Sequence, residues 1–177
     1  MKEFDAPQLH QLLFSFCSTK NTDVESFLTD KNKAIRLENA SKSRTYLILD
    51  DGSGQILAYF SLSIKEVSLN QNNETKISKG LRKKLDGICK NSERVNAYLI
   101  GQIGKNDSVA DNQINLSYIL EEAYTIIDKA NQLVGGRVII LECEKAEKLV
   151  ALYQKNGFNI LIDNPAERLI TMYICVR

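Results

Sequence analysis

The chain has 177 residues, of which 44% are apolar and 25% charged, the balance of an ordinary globular protein with one sizeable core. Its 23 basic and 22 acidic residues nearly cancel, so the overall charge does not favour nucleic acid or a membrane surface as a partner. The apolar runs are too short to span a bilayer, and the N-terminal MKEFDAPQLHQLL is too polar for a signal peptide. We therefore expect a cytoplasmic protein that does not enter the membrane.

The cysteines and the single histidine give no metal-binding pattern. Cys17, Cys89, Cys143 and Cys175 are scattered and form no CxxC pair, and His10 is the only histidine. Structural zinc sites need four such ligands at close spacing, so we expect no metal. The four cysteines are expected to be reduced and packed as small apolar residues.

The front half predicts two helices followed by a β-hairpin. Helical spacing covers residues 6–17 and 22–37. Two β-rich runs in TYLILDDGSGQILAYFSLSI are joined by DDGSG, which is the turn chemistry of a hairpin. Residues 66–78 are polar and predict a loop, and a short basic amphipathic segment follows at Ile77–Cys89.

The back half alternates strands with helices. The predicted elements are strand 95–104, loop 105–113, helix 114–134 ending at Gly135-Gly136, strand 137–143, helix 146–156 and two last strands around Asn164-Pro165. The order of elements is α α β β α β α β α β β. We interpret it as a single α/β domain over residues 1–177, with a mixed, mostly antiparallel sheet flanked by helices.

The passage from strand 95–104 through a polar loop into the next helix is a place where phosphate can bind. The first N–H groups of a helix have no partner within it, and the helix dipole is positive at that end. Gly101 and Gly104 would let a ligand approach the strand backbone closely. Many α/β domains contain the same passage without a ligand.

The order of elements and three local strings resemble the GNAT (Gcn5-related) N-acetyltransferase family. SRTYLILDD–GQILAYFSLSI is similar to the family's second and third strands, and VNAYLIGQIGK to its fourth. RVIILECE–AEKLVALYQKNGF resembles the fifth strand and the next helix, which commonly ends in Tyr-x-x-x-Gly-Phe. In this chain that string is Tyr153, Gly157 and Phe158.

The resemblance implies that acetyl-CoA is the co-substrate. Its pantetheine arm would pair with the splayed fourth strand, and its pyrophosphate would bind at the start of the following helix. The residues that match these positions are Gln102, Ile103, Gly104, Lys105, Asn112, Ile114, Asn115, Leu116 and Ser117.

The loop that would bind the pyrophosphate departs from the family. The family uses Gln/Arg-x-x-Gly-x-Gly/Ala, whereas residues 107–117 read DSVADNQINLS and contain no glycine. Asp107 and Asp111 would repel a pyrophosphate that they faced, and Lys105 is the only nearby cation. N–H groups at Ile114–Ser117 remain as donors. The alternative is that the chain keeps the fold without turnover and serves as a binding module.

The string LYQKNGF at residues 152–158 contains the candidate catalytic residue. Asn156-Gly157 predicts the end of a helix, and Phe158 is expected in the core. Acetyl transfer to an amine requires a proton for the departing thiolate, and tyrosine is a suitable donor. By the resemblance, Tyr153 is this general acid; from the helical pattern alone it would be a core aromatic. Glu142 and Glu144 are possible proton relays, but we assign no base.

The resemblance implies that the acyl acceptor is a primary amine, which the sequence does not identify further. The front half also resembles the acetyltransferase toxins of toxin–antitoxin pairs, which acetylate aminoacyl-tRNA. The basic run Lys76–Lys84 would suit tRNA phosphates, although such runs often form a solvated helix face. This alternative adds tRNA and an antitoxin as possible partners, and a homodimer is also open.

Overall fold

The structure is a computed structural model that describes residues 6–70 and 77–176, so Lys76 of the basic run lies outside it. The helices are α1 (Ala6–Phe14), α2 (Thr22–Thr29), α3 (Ala34–Asn39), α4 (Lys79–Asp86), α5 (Leu116–Val134) and α6 (Glu147–Lys155). The strands are β1 (Arg44–Leu49), β2 (Ile56–Ser68), β3 (Arg94–Lys105), β4 (Val138–Glu144), β5 (Asn159–Ile162) and β6 (Leu169–Cys175).

The strands form one sheet in the order β1-β2-β3-β4-β6-β5. β1 with β2, β4 with β6 and β5 with β6 are antiparallel, whereas β3 and β4 are parallel. This arrangement confirms the predicted α/β class with a mixed, mostly antiparallel sheet.

The parallel pairing of β3 with β4 is short. It covers only Tyr98–Ile100 against Ile139–Leu141, although both strands are longer. The two strands therefore pair in parallel over three residues each. Such a short pairing is compatible with the expectation that β3 splays away from its neighbour.

The prediction of one helix over residues 22–37 is wrong, because two helices occupy this range. α2 ends at Thr29, and its C-cap residue Asp30 has extended backbone angles. The Asp30 carboxylate accepts a hydrogen bond from the Asn32 N–H at 2.8 Å, and its carbonyl accepts one from the Lys33 N–H at 2.9 Å. Aspartate forms such local turns readily, and this turn replaces the helical hydrogen bonds at residues 30–33.

The prediction of a loop from residue 66 is also wrong in its first residues, because β2 continues to Ser68. Val67 and Leu69 are 5% and 2% exposed and pack in an apolar cluster. Because Val67 and Leu69 alternate with polar residues and are buried, the strand continues into a stretch whose overall composition is polar.

The chain divides into two compact units. Unit 1 comprises Met1–Ser63 and Gly101–Tyr124, and unit 2 comprises Ile64–Ile100 and Thr125–Arg177. The core of unit 1 is formed by Leu13, Phe16, Leu28, Ala34, Ile56 and Tyr59. The core of unit 2 is formed by Val67, Leu69, Leu85, Val95, Ala97, Val138, Ile140, Leu161, Ile162 and Tyr173. A single domain over residues 1–177 stays a prediction.

Among residues 6–70 and 77–176, every helix is too short or too polar to cross a bilayer.

Candidate active site

Asn106 fixes the loop that follows β3 in unit 1. Its side chain is almost completely buried and its amide oxygen accepts the N–H groups of Cys17 and Ser108, both at 3.0 Å. Its amide nitrogen donates to the Ile56 carbonyl at 2.7 Å. A buried amide that uses both of its ends holds the surrounding backbone in one conformation. The Asn106 side chain therefore connects three segments by hydrogen bonds: the loop after β3, the β1–β2 hairpin and the segment after α1.

Asn112 fixes the other end of the same loop. Its amide nitrogen donates to the carbonyls of Leu57 at 2.8 Å and Asn106 at 3.1 Å. Its amide oxygen accepts the Ile114 N–H at 3.1 Å. The protein itself thus uses the Asn112 side chain and the Ile114 N–H, two of the groups assigned to the cofactor.

The start of α5 leaves two backbone donors available. The Asn115 side chain accepts the Tyr118 N–H at 3.0 Å and so caps the helix. Within the described ranges, no residue accepts a hydrogen bond from the N–H of Leu116 or Ser117. Ser117 is exposed, and its hydroxyl adds a third donor at the same end of the helix. These donors are suited to an anion.

The end of β3 gives a packing reason for Gly104. A side chain there would lie 2.5 Å from the Tyr59 ring and 2.7 Å from Val24, so only glycine fits. Gln102 and Ile103 are half-buried, and Lys105 is exposed. The Lys105 ammonium donates to the Asn112 carbonyl at 2.7 Å, which leaves its other two N–H groups for further contacts.

The two acids of the loop differ in their roles. Asp107 accepts hydrogen bonds from the Thr19 hydroxyl at 2.7 Å and the Thr19 N–H at 2.9 Å, and these bonds hold the pKa of its carboxyl below the usual range. Asp111 has φ +54°, in the left-handed region that glycine usually occupies. Aspartate tolerates this region better than most residues. A loop without glycine therefore still makes a left-handed turn.

Tyr153 lies in the last turn of α6, in unit 2. The helix ends at Lys155, and Asn156-Gly157 follows it as the sequence predicted, with Gly157 at φ +92°. The Tyr153 carbonyl accepts the N–H groups of Asn156 at 3.0 Å and Phe158 at 3.1 Å. The Tyr153 and Phe158 rings meet edge to face with centroids 6.0 Å apart, and Phe158 is buried as expected.

The Tyr153 side chain is half-buried, and no described residue hydrogen-bonds to its hydroxyl. Burial, with a smaller contribution from the neighbouring Cys143 thiol, raises the pKa of Tyr153 to about 12. The phenol is therefore fully protonated at neutral pH. Cys143 is itself buried, and burial raises the pKa of its thiol to about 11. Because both groups are protonated at neutral pH, the Cys143 thiol does not take the proton of the Tyr153 phenol.

Both carboxylates of β4 are ion-paired. Glu142 binds the Lys65 ammonium with its two oxygens at 2.7 and 2.8 Å, and the Thr171 hydroxyl donates to it at 3.4 Å. Glu144 pairs with Arg168. The two acids considered as proton relays are thus neutralised by cations in this structure.

The basic residues in and around helix α4 have two roles: one binds backbone carbonyls, and the others are exposed. The Arg82 guanidinium donates to the carbonyls of Ser92 at 2.7 Å, Leu69 at 2.8 Å and Ile77 at 3.3 Å, so it anchors the helix. Four exposed lysines nearby have no ion-pair partner within the described part of the chain: Lys79, Lys83, Lys84 and Lys90.

Sequence reasoning missed Asn106 and Lys65. Asn106 follows a strand directly, where a polar residue ordinarily begins a solvated loop. Its burial depends on two distant partners, the Cys17 N–H and the Ile56 carbonyl. Lys65 has its partner 77 positions away, so no local pattern could reveal the pair. Within the described ranges, no cluster of His, Cys, Asp or Glu side chains could hold a metal ion.

Comparison with protein-family models gave no match, and comparison with curated protein sequences gave none either.

Solved structures resemble the chain over most of its length. A complex of AtaT with acetyl-methionyl-tRNAfMet has a TM-score of 0.67 at 19% identity and covers 90% of this chain and 85% of its own. A tyrosine-to-phenylalanine variant of the AtaT toxin, bound to acetyl-CoA and the C-terminus of the antitoxin AtaR, has a TM-score of 0.65 at 15% identity, covering 95% and 85%. A tyrosine-to-phenylalanine variant of KacT has a TM-score of 0.66 at 17% identity, covering 93% and 87%. The chain therefore has the fold of these structures, in agreement with the GNAT-like fold that its sequence suggested.

Proposed function

We propose that the chain is an acetyl-CoA-dependent N-acetyltransferase in which Tyr153 is the general acid. The observation that carries the proposal is the Tyr153 hydroxyl, which is protonated, half-buried and without a hydrogen-bond partner among the described residues. The fold supports it, since one structural neighbour is described with acetyl-CoA and another with an acetylated tRNA.

The proposed reaction forms an amide bond and breaks a thioester bond. The neutral amine of the acceptor attacks the thioester carbonyl carbon, the carbon–sulfur bond breaks, and the sulfur receives a proton from Tyr153. The proton lost by the amine passes to solvent, which also reprotonates the phenolate. General acids of this kind are typically worth about 10²–10⁴ in rate.

The residues of unit 1 fit the co-substrate in two different ways. The backbone of Gln102, Ile103, Gly104 and Lys105 would pair with the pantetheine arm. The N–H groups of Leu116 and Ser117, the Ser117 hydroxyl and the Lys105 ammonium would bind phosphate oxygens. Asn112, Ile114 and Asn115 would act indirectly, because their polar groups shape the loop and cap α5.

Calorimetric titration with acetyl-CoA, followed by an assay of thiol release with amine acceptors, tests the proposal. We expect saturable binding and acceptor-dependent release of CoA. Binding without release over a broad acceptor set would favour the module without turnover. No heat and no thermal shift at about 1 mM acetyl-CoA would remove the enzyme reading and leave the module, since affinities of that order are detectable in this way.

The second proposal concerns the acceptor, which we infer to be an α-amino group such as that of aminoacyl-tRNA. Since Glu142 and Glu144 are ion-paired, β4 offers no free carboxylate to deprotonate a lysine-type amine. At pH 7 an α-amine with pKa near 7.7–8.0 is roughly a tenth neutral, whereas a lysine with pKa near 10.4 is neutral in only about one molecule in 2,500. The tRNA complex of the AtaT neighbour and the unpaired lysines around α4 agree with this acceptor.

Competition between an aminoacyl-tRNA and a lysine-rich peptide tests the acceptor directly. We expect faster acetylation of the aminoacyl-tRNA, with a rate that falls as salt rises. The double variant Lys83→Glu/Lys84→Glu should weaken tRNA acetylation and leave acetyl-CoA binding unchanged. Lys129→Glu, an exposed lysine on α5, is the control. Preferred acetylation of the peptide would contradict the inference. An antitoxin and a homodimer remain proposals of the same kind.

A further inference from the structure

The string YQKNGF at residues 153–158 forms a complete Schellman motif around the end of α6. The Phe158 N–H donates to the Tyr153 carbonyl at 3.1 Å, five residues back, and the Gly157 N–H donates to the Gln154 carbonyl at 2.9 Å. These are the two hydrogen bonds that define the motif. The motif is commonly accompanied by an apolar contact between its first and last residues, and here this contact joins the rings of Tyr153 and Phe158.

We propose that this helix cap is a positioning device for the proposed general acid, with Gly157 and Phe158 as positioning residues that act through Tyr153. The inference rests on the proposed function. The cap fixes the Tyr153 backbone through its carbonyl and the Tyr153 ring through its contact with the Phe158 ring. Both constraints act on the residue whose hydroxyl must meet the sulfur.

Gly157 is the residue on which the cap depends. Its φ of +92° is strained for any residue with a side chain, and a Cβ would lie 3.3 Å from the Ile174 methyl. Phe158 is 2% exposed, so its ring has little freedom to leave the contact with Tyr153. The spacing of the tyrosine, the glycine and the phenylalanine is therefore the spacing that a Schellman cap requires.

The first test is the variant Gly157→Ala, measured by steady-state kinetics. We expect kcat to fall by about 10²-fold, as displacements near 1 Å do, with KM for acetyl-CoA changed less than about threefold. Gly135→Ala is the matched control, because Gly135, which lies in unit 2, also follows a helix with φ +74° and its Cβ would meet nothing within 4 Å. This control should lose stability and keep kcat. An equal loss of kcat in both variants would overturn the proposal.

A double-mutant cycle separates positioning from general loss of structure. If the cap acts through the phenol, Gly157→Ala should have little further effect on kcat once Tyr153→Phe is present. Equal fold-losses in the wild-type and Tyr153→Phe backgrounds would contradict the proposal. If Gly157→Ala folds poorly, Phe158→Leu replaces it in the cycle. This variant keeps an apolar side chain but removes the ring contact with Tyr153, and we expect the same pattern of kcat values.

The third readout does not need the enzyme to be active. Tyrosine labelled with ¹³C at the phenol carbon reports the pKa of Tyr153 by NMR, with Tyr153→Phe used to assign the signal. Loss of the cap should lower this pKa from about 12 toward that of a solvated phenol, near ~10. An unchanged pKa would overturn the proposal. If Tyr153→Phe keeps full activity while the pKa still falls in Gly157→Ala, the general acid is wrong and the cap is right.

Discussion

At the scale of single residues, the environment of Tyr153 decides what the phenol can do. Burial raises its pKa to about 12, which keeps it protonated but makes it a weaker acid than a solvated tyrosine. The same desolvation acts on a thiolate formed beside it, because burial disfavours every anion. In the proposed reaction the pKa of the departing thiol would therefore rise together with that of the phenol, so the difference between the two pKa values would change little.

The raised pKa gives a pH dependence with a definite sign. The phenol remains protonated from pH 7 to pH 10, while the acceptor amine becomes more neutral over the same range. We expect kcat/KM for the acceptor to rise with pH and to show no decline from Tyr153 below about pH 11. Initial rates of thiol release from pH 6 to pH 10.5 measure this. A decline with an apparent pKa below 10 that disappears in Tyr153→Phe would contradict it.

Asn106 is the residue on which the loop of unit 1 depends most. Asn106→Ala removes the acceptor of two N–H groups and the donor to the Ile56 carbonyl. We expect a loss of about 2–4 kcal/mol in the free energy of unfolding, measured by urea denaturation. Asn21→Ala, which removes only the cap of α2, should cost about 1 kcal/mol. Equal losses in the two variants would show that the buried amide has no special role.

At the scale of elements, the passage from β3 to α5 shows how a loop without glycine keeps a fixed shape. Asn106 and Asn112 bind its backbone at both ends, and Asp111 makes the left-handed turn. Asn115 then caps the helix and leaves the N–H groups of Leu116 and Ser117 without partners in the described part of the chain.

The role of these N–H groups is testable with proline. Leu116 is the first residue of α5, a position where proline is tolerated because its missing N–H has no helical partner. Leu116→Pro should preserve the fold and weaken acetyl-CoA binding by roughly 10–100-fold, the effect of losing one hydrogen bond to a charged group. Leu116→Ala keeps the N–H and controls for the side chain. Equal dissociation constants for the two variants would exclude this donor.

Element types were predictable from periodicity, but contacts between distant residues were not. Alternation and turn residues located the hairpin and the strand–helix–strand back half, and Asn156-Gly157 located the end of α6. The turn at Asp30 was missed because apolar residues at approximately helical spacing lie on both sides of it. Gly104 suggested space for a ligand, whereas Tyr59 and Val24 fill that space. A glycine in the sequence shows that no side chain is present at that position, but not which residues fill the space beside it.

At the scale of the whole molecule, tyrosines removed wholly or partly from solvent couple stability to alkaline pH. Burial raises the pKa of Tyr59 as well as that of Tyr153, and the Tyr59 hydroxyl donates to the Val24 carbonyl at 2.6 Å. A raised folded pKa means that stability is fully present below the unfolded value, near ~10, and is lost as pH rises above it.

Each such tyrosine should lower the free energy of unfolding by about 1.4 kcal/mol per pH unit above pH ~10. We expect urea midpoints that are constant from pH 8 to pH 9.5 and fall steeply from pH 10 to pH 11.5. Tyr59→Phe should be less stable at pH 8, because it loses a hydrogen bond, but should show a shallower alkaline decline. Parallel declines in the wild type and the variant would contradict this account.

The residues assigned to acetyl-CoA lie in unit 1, and the proposed general acid Tyr153 lies in unit 2. Changes in unit 1 should therefore affect binding, and a change at Tyr153 should affect turnover. The most direct test compares Tyr153→Phe, which removes only the hydroxyl, with the wild type. Both kcat and the dissociation constant of acetyl-CoA are measured. We predict a fall in kcat of about 10²–10⁴-fold with an unchanged dissociation constant. Full turnover by Tyr153→Phe would contradict the assignment of Tyr153 as the general acid.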